Sequence, residues 1–592
     1  MFLRRSIKLT CCLTALWIVA SGALLWGQGA QSKARQAADQ AQAVYSRGMA
    51  ALQKGDLDTA RSSFEKVVGL APSSPEAHNS LGWVLMEQGQ IDPAIAQFRA
   101  ALKIKTTFVQ AHVNLANALS SQHDFAEAQS EAQEAVRLGP KDSEAHRTLA
   151  RIKSFRGDLP GGINELQTAI ALESKRPDLH DDLGTLFEQA GKIDEAAVEF
   201  ATALQLKPDY FSAKMHLGIV RWQQYELPEA EALLAKAAQS GPDNPQTHYY
   251  LGRVLEDQKK DDRAIVELKK AVALQPDFAD AQETLGLLSQ RAGSIEDAIT
   301  AFRHLAQLRP DNPDAHNNLG LALIQSGNAA SSMPEFETAI RLRPEDAGYI
   351  ENLGTAYLQR ADFASAIKQF QAALKLAPQD ATAHYDLGLA LKLKDQLPEA
   401  IAEFQKATQL SPEQPDMHYT LGVTLWQKGD FAEAEKELSA ATNAKPDYAE
   451  AYYTLGTVLK QDGKLNDAAA ALRKAIAIDP GLVGAHTNMA AILRQQGDAA
   501  GAEEENRRAQ ELFKQSNSLQ AATFNTNSGK RLLQAGDLDG AIAQFRSAIK
   551  IAPAYAAAHQ QLALALAQKG QQAESDEESR KAAQLAGTNS TQ

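Results

Sequence analysis

The sequence predicts an all-α fold, an α-solenoid of about sixteen stacked helix-turn-helix repeats. The first observation is a Leu-Gly pair that recurs every 34 residues and is clearest at Leu455 and Gly456. The second is an alanine twelve residues after that glycine, followed four residues later by phenylalanine or leucine, as at Ala468 and Leu472. The third is a proline that closes most copies, as Pro480 does. One copy has too little apolar surface to fold alone, so the copies must stack.

Each copy is predicted to form two short helices back to back. In residues 449–482, apolar side chains at helical spacing predict a first helix that stops at Gly463, where glycine can adopt a positive φ. A second helix is predicted to begin after Asn466, a good N-cap residue, and to end before Pro480. Small residues such as Gly456 allow the two helices to pack closely.

The 34-residue spacing is the strongest signal in the chain. Stepping from Gly456 gives Gly48, Gly82, Ala116, Ala150, Gly184, Gly218, Gly252, Gly286, Gly320, Gly354, Gly388, Gly422 and Ala490. This pattern resembles the tetratricopeptide repeat, a 34-residue helix-turn-helix with a Leu-Gly pair, a later Ala and Phe, and a closing Pro. The resemblance covers residues 41–589. It implies a right-handed superhelix in which the first helices of the repeats line a concave face.

The first 30 residues are predicted to be a targeting segment. Its basic start, from Arg4 to Lys8, is followed by no charge until Lys33. Two alternatives stay open: a cleaved secretory signal, or an uncleaved single transmembrane anchor formed by residues 9–26. Both predict an exported array, periplasmic or otherwise extracytoplasmic, that is either secreted or anchored to the inner membrane. Both cysteines lie in this segment, so the repeats are expected to be stable without disulfides.

Spacing and composition divide the chain into six segments. They are the signal or anchor at 1–30, a lead-in linker or helix at 31–40, fourteen repeats in unbroken register at 41–516, a five-residue register slip at 517–521, two further repeats with a polar capping helix at 522–586, and a disordered tail at 587–592. Near the slip, Lys514 replaces the usual proline. A longer helix that ends before residues 516–518 is expected to accommodate the extra residues.

One proline predicts a local irregularity. Pro93, Pro160, Pro228 and Pro398 fall in the first turn of a second helix, where proline is tolerated. Pro334 sits about four residues later than those turns. The second helix of the ninth repeat is therefore expected to begin late, after Ser331 or Ser332.

Charge and motifs exclude several functional classes. The formal net charge of −13 argues against a nucleic-acid partner, which would require a concentrated basic surface. The chain has no glycine-rich phosphate loop, no H-E-x-x-H and no nucleophile elbow, so neither an enzyme nor a cofactor is predicted. The carboxylate clusters at 181–182 and 503–505 each lie along one helix and are expected to be solvated faces.

Ten of the thirteen histidines occupy one repeat position. They are His78, His112, His146, His180, His248, His316, His384, His418, His486 and His559. Packed helices lie roughly 8–10 Å apart, whereas zinc ligands reach to within about 2.1 Å of the metal. The row is therefore interpreted as packing by flat side chains with a polar tip, and no metal site is predicted.

The resemblance implies a binding face, because ligands of tetratricopeptide proteins, often extended peptides, lie along the first helices. The positions three before, and one and four after, the counterparts of Gly456 should point inward. The large side chains there are Trp83, Met86, Met215, Ile219, Trp222, Tyr249, Arg253, Tyr385, Leu389, Tyr419, Val423, Trp426 and Tyr453. Exposed aromatic residues in a groove are good anchors for a partner. The alternative, that some only pack against neighbouring helices, has equal weight.

A polar cluster of Asn114, Asn117, Arg147 and Arg151 could hold a carboxylate or a phosphate. It resembles only in part the carboxylate clamp of chaperone-binding relatives, because Val113 stands where the clamp has a lysine. The chain is also similar to the repeat half of O-linked N-acetylglucosamine transferases. The asparagine ladder of those proteins is broken here, and the transferase domain is absent.

These observations predict an exported scaffold that binds protein or peptide segments along a concave groove, in the assembly of envelope or secreted machinery. The alternative is a carbohydrate-binding array in polysaccharide export or modification, since groove tryptophans can stack on sugars. An enzyme is the weakest reading.

Overall fold

The computed structural model describes residues 28–589, with side chains from 35 to 586. Within that range the chain is all helical, with 31 helices and no strand, which confirms the predicted all-α class. Residues 1–27 of the predicted targeting segment, including the candidate span at 9–26, lie outside the described range. Among the helices that are described, none combines the length and apolar character needed to cross a bilayer.

The helices fall into two compact units, one ending at Arg309 and the other beginning at Pro310. Unit 1 contains α1 (Gln28–Gln53), α2 (Leu57–Leu70), α3 (Pro75–Glu87), α4 (Ile91–Ile104), α5 (Val109–Ser121), α6 (Phe125–Leu138), α7 (Ser143–Phe155), α8 (Leu159–Leu172), α9 (Pro177–Gln189), α10 (Ile193–Leu206), α11 (Phe211–Gln223), α12 (Leu227–Ser240), α13 (Pro245–Asp257), α14 (Asp261–Leu274), α15 (Ala279–Arg291) and α16 (Ile295–Leu308). Unit 2 contains α17 (Pro313–Gln325), α18 (Ala329–Leu342), α19 (Ala347–Gln359), α20 (Phe363–Leu376), α21 (Ala381–Leu393), α22 (Leu397–Leu410), α23 (Pro415–Lys428), α24 (Phe431–Ala444), α25 (Ala449–Gln461), α26 (Leu465–Ile478), α27 (Val483–Gln495), α28 (Ala499–Gln534), α29 (Leu538–Ile551), α30 (Ala556–Gln568) and α31 (Gln572–Asn589).

In most repeats the recurring spacing corresponds to one close contact between the two helices. At Gly82 in α3, an added Cβ would lie 2.7 Å from Cε1 of Phe98 in α4, a distance that no side chain can occupy without movement. Phe98 and its counterpart Phe370 are fully buried. The glycine therefore lets the helices approach, and the aromatic ring fills the space that remains.

The turn before α26 is set by backbone conformation and not by a side-chain cap. Gly463 has φ of +80°, as its sequence position predicts. The expectation that the second helix begins after Asn466 is wrong: α26 begins at Leu465, next to Lys464, without a side-chain cap. The amide of Lys464 donates to the carbonyl of Leu459 at 2.9 Å, which closes the turn one residue after the glycine. Asn466 instead accepts a hydrogen bond from Gln496 Nε2 in the next repeat.

The predicted late start at Pro334 is also wrong, because α18 has the usual 14 residues and contains this proline. The side chain of Asn328 accepts a hydrogen bond from the amide of Ser331 and fixes the start of the helix. Ser332 and Phe336 are fully buried on its packed face. A proline here removes one backbone hydrogen bond, and the cap together with the packing outweighs that loss.

The register slip is absorbed inside a single helix. We expected a helix end before residues 516–518, and this is wrong: α28 continues through them for 36 residues. No glycine or proline lies between Gly501 and Gly529, so nothing in the sequence ends the helix. Ala502 and Ala522 are buried near its two ends, whereas residues 513–517 are exposed. The slip thus joins the second helix of one repeat to the first helix of the next.

Candidate binding face

The first helices carry the residues predicted to point inward, and we call these positions the first-helix face. The structure divides them into two groups by exposure. Asn114, Arg147, Met215, Ile219 and Tyr249 are buried, so they pack between helices. The others are half-buried and present part of their surface: Trp83, Met86, Asn117, Arg151, Trp222, Arg253, Tyr385, Leu389, Tyr419, Val423, Trp426 and Tyr453.

Hydrogen bonds between side chains 35 residues apart connect successive first helices along this face. In unit 1, Asn114 Nδ2 donates to Asn79 Oδ1 at 3.0 Å. In unit 2, Asn352 Nδ2 donates to Asn317 Oδ1 at 2.8 Å. The separation is 35 residues and not 34. A side chain therefore contacts the residue one place after its own counterpart in the next repeat. Sequence reasoning missed these pairs, although a search for complementary side chains at that spacing could have found them.

Ion pairs divide the predicted polar cluster into a buried part and a part that reaches the surface. Arg147 is buried, and its Nε donates to Asp182 Oδ2 at 2.5 Å while Nη1 lies 2.8 Å from Asp178 Oδ2. Burial alone would lower the pKa of Arg147, but the surrounding carboxylates, Asp182 foremost, raise it. Arg151 Nη2 donates to Asn117 Oδ1 at 2.7 Å. Arg147 is thus already neutralised by the protein, which leaves Arg151 and Asn117 as the part of the cluster that faces the surface.

A serine, a histidine and an aspartate meet beside this network, in an arrangement that does not fit nucleophilic catalysis. Asp181 accepts hydrogen bonds from Ser212 Oγ at 2.7 Å and from His216 Nδ1 at 2.9 Å. In a catalytic triad the serine and the acid contact opposite ring nitrogens. Here Ser212 Oγ lies 3.5 Å from the same Nδ1. The group ties α9 to α11 and supplies no activated nucleophile.

The carboxylate clusters differ from their predicted role as solvated faces. That prediction is wrong for Asp181 and Asp182, because the first is buried and the second is paired with an arginine. It holds for Glu503 and Glu504, which are exposed, and it is wrong for Glu505, which is half-buried and contacts His486 Nδ1 at 2.5 Å. Burial lowers the pKa of His216, but the adjacent Asp181 carboxylate raises it, and the net shift is upward. A buried imidazole therefore compensates the buried acid.

In unit 1 the aromatic residues of the face form one cluster with an arginine. The guanidinium of Arg253 lies 5.2 Å from the ring centroid of Trp222, and its Nη1 donates to Tyr249 Oη at 3.0 Å. Trp222 Nε1 donates to Asp257 Oδ2 at 2.6 Å. Beside them is an open cavity of about 390 Å³. Its lining residues are Tyr249, Arg253, Glu256, Asp280, Glu283, Thr284 and Leu287.

In unit 2 three tyrosines at 34-residue spacing line the face. Tyr385 Oη forms a 3.0 Å hydrogen bond with Thr420 Oγ1. The Tyr419 ring packs against Tyr448 with centroids 5.2 Å apart. The Tyr453 ring lies over Gly484, where an added Cβ would be 2.6 Å from its Oη. Each ring is held in one orientation and remains half-exposed, which defines the tyrosine surface of Tyr385, Tyr419 and Tyr453.

Two carboxylates lie beside the tyrosine surface, at positions 35 residues apart. Burial, together with the charges of Asp380 and Asp386, raises the pKa of Glu351 to about 7. Burial, together with Asp380, raises the pKa of Asp386 to about 6. Elsewhere on this face such positions form hydrogen-bonded pairs. The charge of this part of the face therefore depends on the protonation of these two carboxyls.

The histidine row lies between the two helices of each repeat. His112 Nδ1 contacts Glu131 Oε2 at 2.5 Å, and its Nε2 contacts the carbonyl of Thr106 at 2.9 Å. Eight of the ten histidines are buried, and His316 and His384 are half-buried, which agrees with the packing interpretation. Sequence reasoning missed the acidic partner, although a glutamate stands 19 residues after nine of the ten histidines.

Family models and solved structures relate the chain to repeat proteins. Models described as tetratricopeptide repeats match residues 45–107, 182–245 and 352–415, residues 85–152, 221–288 and 393–457, and residues 313–346 and 449–482. A model described as TPR repeat matches residues 290–327 and 529–570. No curated protein matches the chain.

Three solved structures illustrate the similarity. One is the crystal structure of the APC/C hetero-tetramer Cut9–Hcn1, which is 14% identical in sequence. The match covers 89% of this chain and 96% of the chain in that structure, with a TM-score of 0.35. A second is MamA of Desulfovibrio magneticus RS-1, at 26% identity. The match covers 29% of this chain and 96% of the MamA chain, with a TM-score of 0.27. A third is YrrB, described as a TPR protein with an unusual peptide-binding site, at 20% identity. The match covers 33% of this chain and 97% of the YrrB chain, with a TM-score of 0.27.

The repeat models match segments from residue 45 to residue 570, in agreement with the helical hairpins of both units. The chain belongs to the tetratricopeptide repeat family.

Proposed function

We propose that this protein is a scaffold that binds an extended segment of a partner protein along the first-helix face. The tyrosine surface carries the proposal. Its three rings are held by neighbouring residues and remain half-exposed, so a partner can cover them without first ordering them. Leu389 and Val423 follow Tyr385 and Tyr419 by four residues on the same helices, and they add half-buried apolar area.

The spacing of the repeats favours an extended ligand. Neighbouring packed helices lie roughly 8–10 Å apart. An extended chain rises about 3.3 Å per residue, so three of its residues span roughly 10 Å. In a polyproline II segment, which has three residues per turn and rises about 3.1 Å per residue, apolar side chains at every third position lie on one side, so each could meet one tyrosine in turn. Glu351 and Asp386 favour a neutral or basic residue at that end of the segment.

The place of action is part of the proposal. The basic start and the apolar stretch at 9–26 support export, either by a cleaved signal or with a retained single-pass anchor. A scaffold in that compartment would assemble envelope or secreted machinery. Fractionation of cells into cytoplasm, membrane and periplasm, with N-terminal sequencing of the purified protein, tests this. Recovery of the full-length chain in the cytoplasm would contradict export.

The binding test begins with affinity capture from the native envelope and identification of the partner segment by peptide arrays. The combined variant Tyr385→Ala, Tyr419→Ala and Tyr453→Ala should weaken binding of that peptide at least about tenfold, since three anchors are lost. Tyr225→Ala is the control, because this tyrosine is 79% exposed in the turn between α11 and α12 and is not one of the first-helix positions. Equal affinity of the wild-type protein and the triple variant, both folded by circular dichroism, would contradict the proposal.

Binding of a carbohydrate is distinguished by a second set of substitutions. Trp222→Ala, Tyr419→Ala and Trp426→Ala remove aromatic rings on which sugars could stack. Loss of polysaccharide retention with peptide binding unchanged would assign the face to carbohydrate. Loss of peptide binding with no polysaccharide retention in either protein supports the protein-binding scaffold.

A further inference from the structure

Nine repeats contain the same contact between a histidine of the first helix and a glutamate of the second. The Nδ1 to Oε2 distances are between 2.5 and 2.7 Å. In each repeat, Nε2 of the same ring lies 2.9–3.4 Å from the backbone carbonyl six residues earlier. The pairs are His112–Glu131, His146–Glu165, His180–Glu199, His248–Glu267, His316–Glu335, His384–Glu403, His418–Glu437, His486–Glu505 and His559–Glu578.

Both ring nitrogens therefore face hydrogen-bond acceptors. A backbone carbonyl only accepts, and an ionised carboxylate only accepts. A neutral imidazole has one N–H and one bare nitrogen, so it can satisfy only one of these two contacts. Satisfying both requires a proton on Nε2 and a second proton between Nδ1 and the glutamate oxygen.

The tenth histidine, His78, faces a glutamine where the other nine face a glutamate, so it serves as an internal control. His78 Nδ1 lies 2.7 Å from the side-chain oxygen of Gln97, and Nε2 lies 3.1 Å from the carbonyl of Pro72. An amide can rotate to present its NH₂ group in place of its oxygen. His78 is then satisfied as a neutral ring, with a single proton on Nε2.

We propose that each of the nine histidine–glutamate pairs binds one more proton in the folded protein than a neutral histidine and a separate carboxylate would, so that the array folds with proton uptake. The pairs would act as imidazolium–glutamate links between the two helices of a repeat. With the nine links protonated, the formal net charge changes from −13 to −4. This inference is independent of the proposed binding function.

Other charged groups face only some of the pairs. Glu134 acts on His112 through its charge. Lys153, Lys270 and Lys581 contact Glu165, Glu267 and Glu578 respectively, at 2.8–3.0 Å. For the glutamates of the six other pairs, the described part of the chain contains no second ion-pair partner.

The direction of the pH dependence follows from these contacts. Burial lowers the pKa of His112, but the hydrogen bond to Glu131 and further contacts raise it to a net value above 6.5. Its contribution to stability is complete below the unfolded pKa of 6.5 and is lost as the pH rises through the folded pKa. Burial raises the pKa of Glu267, but its bonds to Lys270 and His248 lower it below 4.5. That contribution is lost as the pH falls through the folded pKa.

The direct test counts the protons that the full-length protein releases when it is unfolded by denaturant at about pH 8, where a free histidine is neutral. About nine protons per chain are expected from the nine links. Release of at least about eight supports the proposal, and a smaller release contradicts it.

Two reciprocal substitutions test single sites, and each copies a side chain that other repeats of the array already contain. Gln97→Glu should add about one released proton, and Glu131→Gln should remove about one. In ¹⁵N-histidine spectra of the folded protein, His112 should show two ring N–H signals in the wild type and one in Glu131→Gln. Unchanged proton release and unchanged spectra in both folded variants would overturn the proposal.

Discussion

At Gly286 the first helix of its repeat is pressed against an aromatic ring of the second helix. An added Cβ would lie 2.5 Å from Cε1 of Phe302, which is fully buried. The third repeat shows that the contact is a matched pair, because Ala116 replaces the glycine there and Ala132 replaces the phenylalanine. Both of those alanines are also fully buried. Where alanine replaces this glycine, the second helix carries a side chain smaller than phenylalanine, as at Ala132 and Leu166.

Gly286→Ala should therefore destabilise the protein by about 1–3 kcal/mol, because the methyl group forces the buried ring to move. Chemical denaturation followed by circular dichroism should show a lower midpoint. Gly69→Ala is the control, since nothing lies within 4 Å of its added Cβ within helix α2. That change should be neutral or stabilise by up to about 1 kcal/mol. A stable Gly286→Ala protein would show that the close contact is not required.

Glu351 makes a separate prediction about pH. Burial, followed by the charges of Asp380 and Asp386, raises its pKa to about 7 from the usual 4.5. The folded state thus binds a proton more tightly than the unfolded state, and stability falls as the pH rises from 4.5 to about 7. Glu351→Gln should stabilise the protein by about 1–2 kcal/mol above pH 7, after allowance for partial exposure.

The measurement is the difference in unfolding midpoint between wild type and Glu351→Gln across this pH range, which cancels contributions from other groups. Glu503→Gln, at an exposed position, provides the control and should show a small, pH-independent difference. A difference for Glu351→Gln that does not grow with pH would contradict the burial of this carboxylate.

The sequence could predict which residues lie on the first-helix face, but not what each of them does there. Tyr385 and Arg147 occupy the same position in their 34-residue repeats. Only the structure shows that the Arg147 guanidinium forms ion pairs with Asp178 and Asp182. The Tyr385 ring, in contrast, stays half-exposed. Such differences depend on side chains of the neighbouring repeat, and the period of a single repeat does not contain that information.

At the scale of single helices, the sequence predicts the existence and order of the elements better than their ends. A cap residue such as Asn466 can add one or two hydrogen bonds, and a proline such as Pro334 removes one. The repeated contacts between helices outweigh them, so α26 begins before its expected cap and α18 continues through its proline. The continuous α28 has the same origin: both of its ends are fixed by packing, and the residues between them are good enough helix formers.

The continuity of α28 predicts the effect of proline substitutions within it. Ser518→Pro would remove a backbone hydrogen bond in the helix interior and should cost about 3 kcal/mol. Ala500→Pro is the control, because Pro160 and Pro228 occupy the corresponding second position of α8 and α12. Thermal unfolding and limited proteolysis should show a loss only for Ser518→Pro. Equal tolerance of both substitutions would show that the helix is interrupted near residue 518.

At the scale of the molecule, the contacts are local along the chain. Every extensive helix–helix contact in the described residues joins helices that are neighbours or next neighbours in sequence. Stability in such an array is approximately a sum over repeats and their interfaces, and it has no single core that a cut would destroy. The boundary between Arg309 and Pro310 lies between two repeats, so each unit contains complete hairpins.

Unit 2 produced alone, as residues 310–592, should therefore fold with helical content per residue close to that of the full chain. It contains the tyrosine surface of Tyr385, Tyr419 and Tyr453 together with Glu351 and Asp386. If that surface is the binding site, the isolated unit should bind the partner peptide within a few-fold of the full-length affinity. Circular dichroism and titration calorimetry measure the two properties separately. A folded unit 2 that does not bind would move the binding site to unit 1, where Trp222, Tyr249 and Arg253 form the other aromatic cluster.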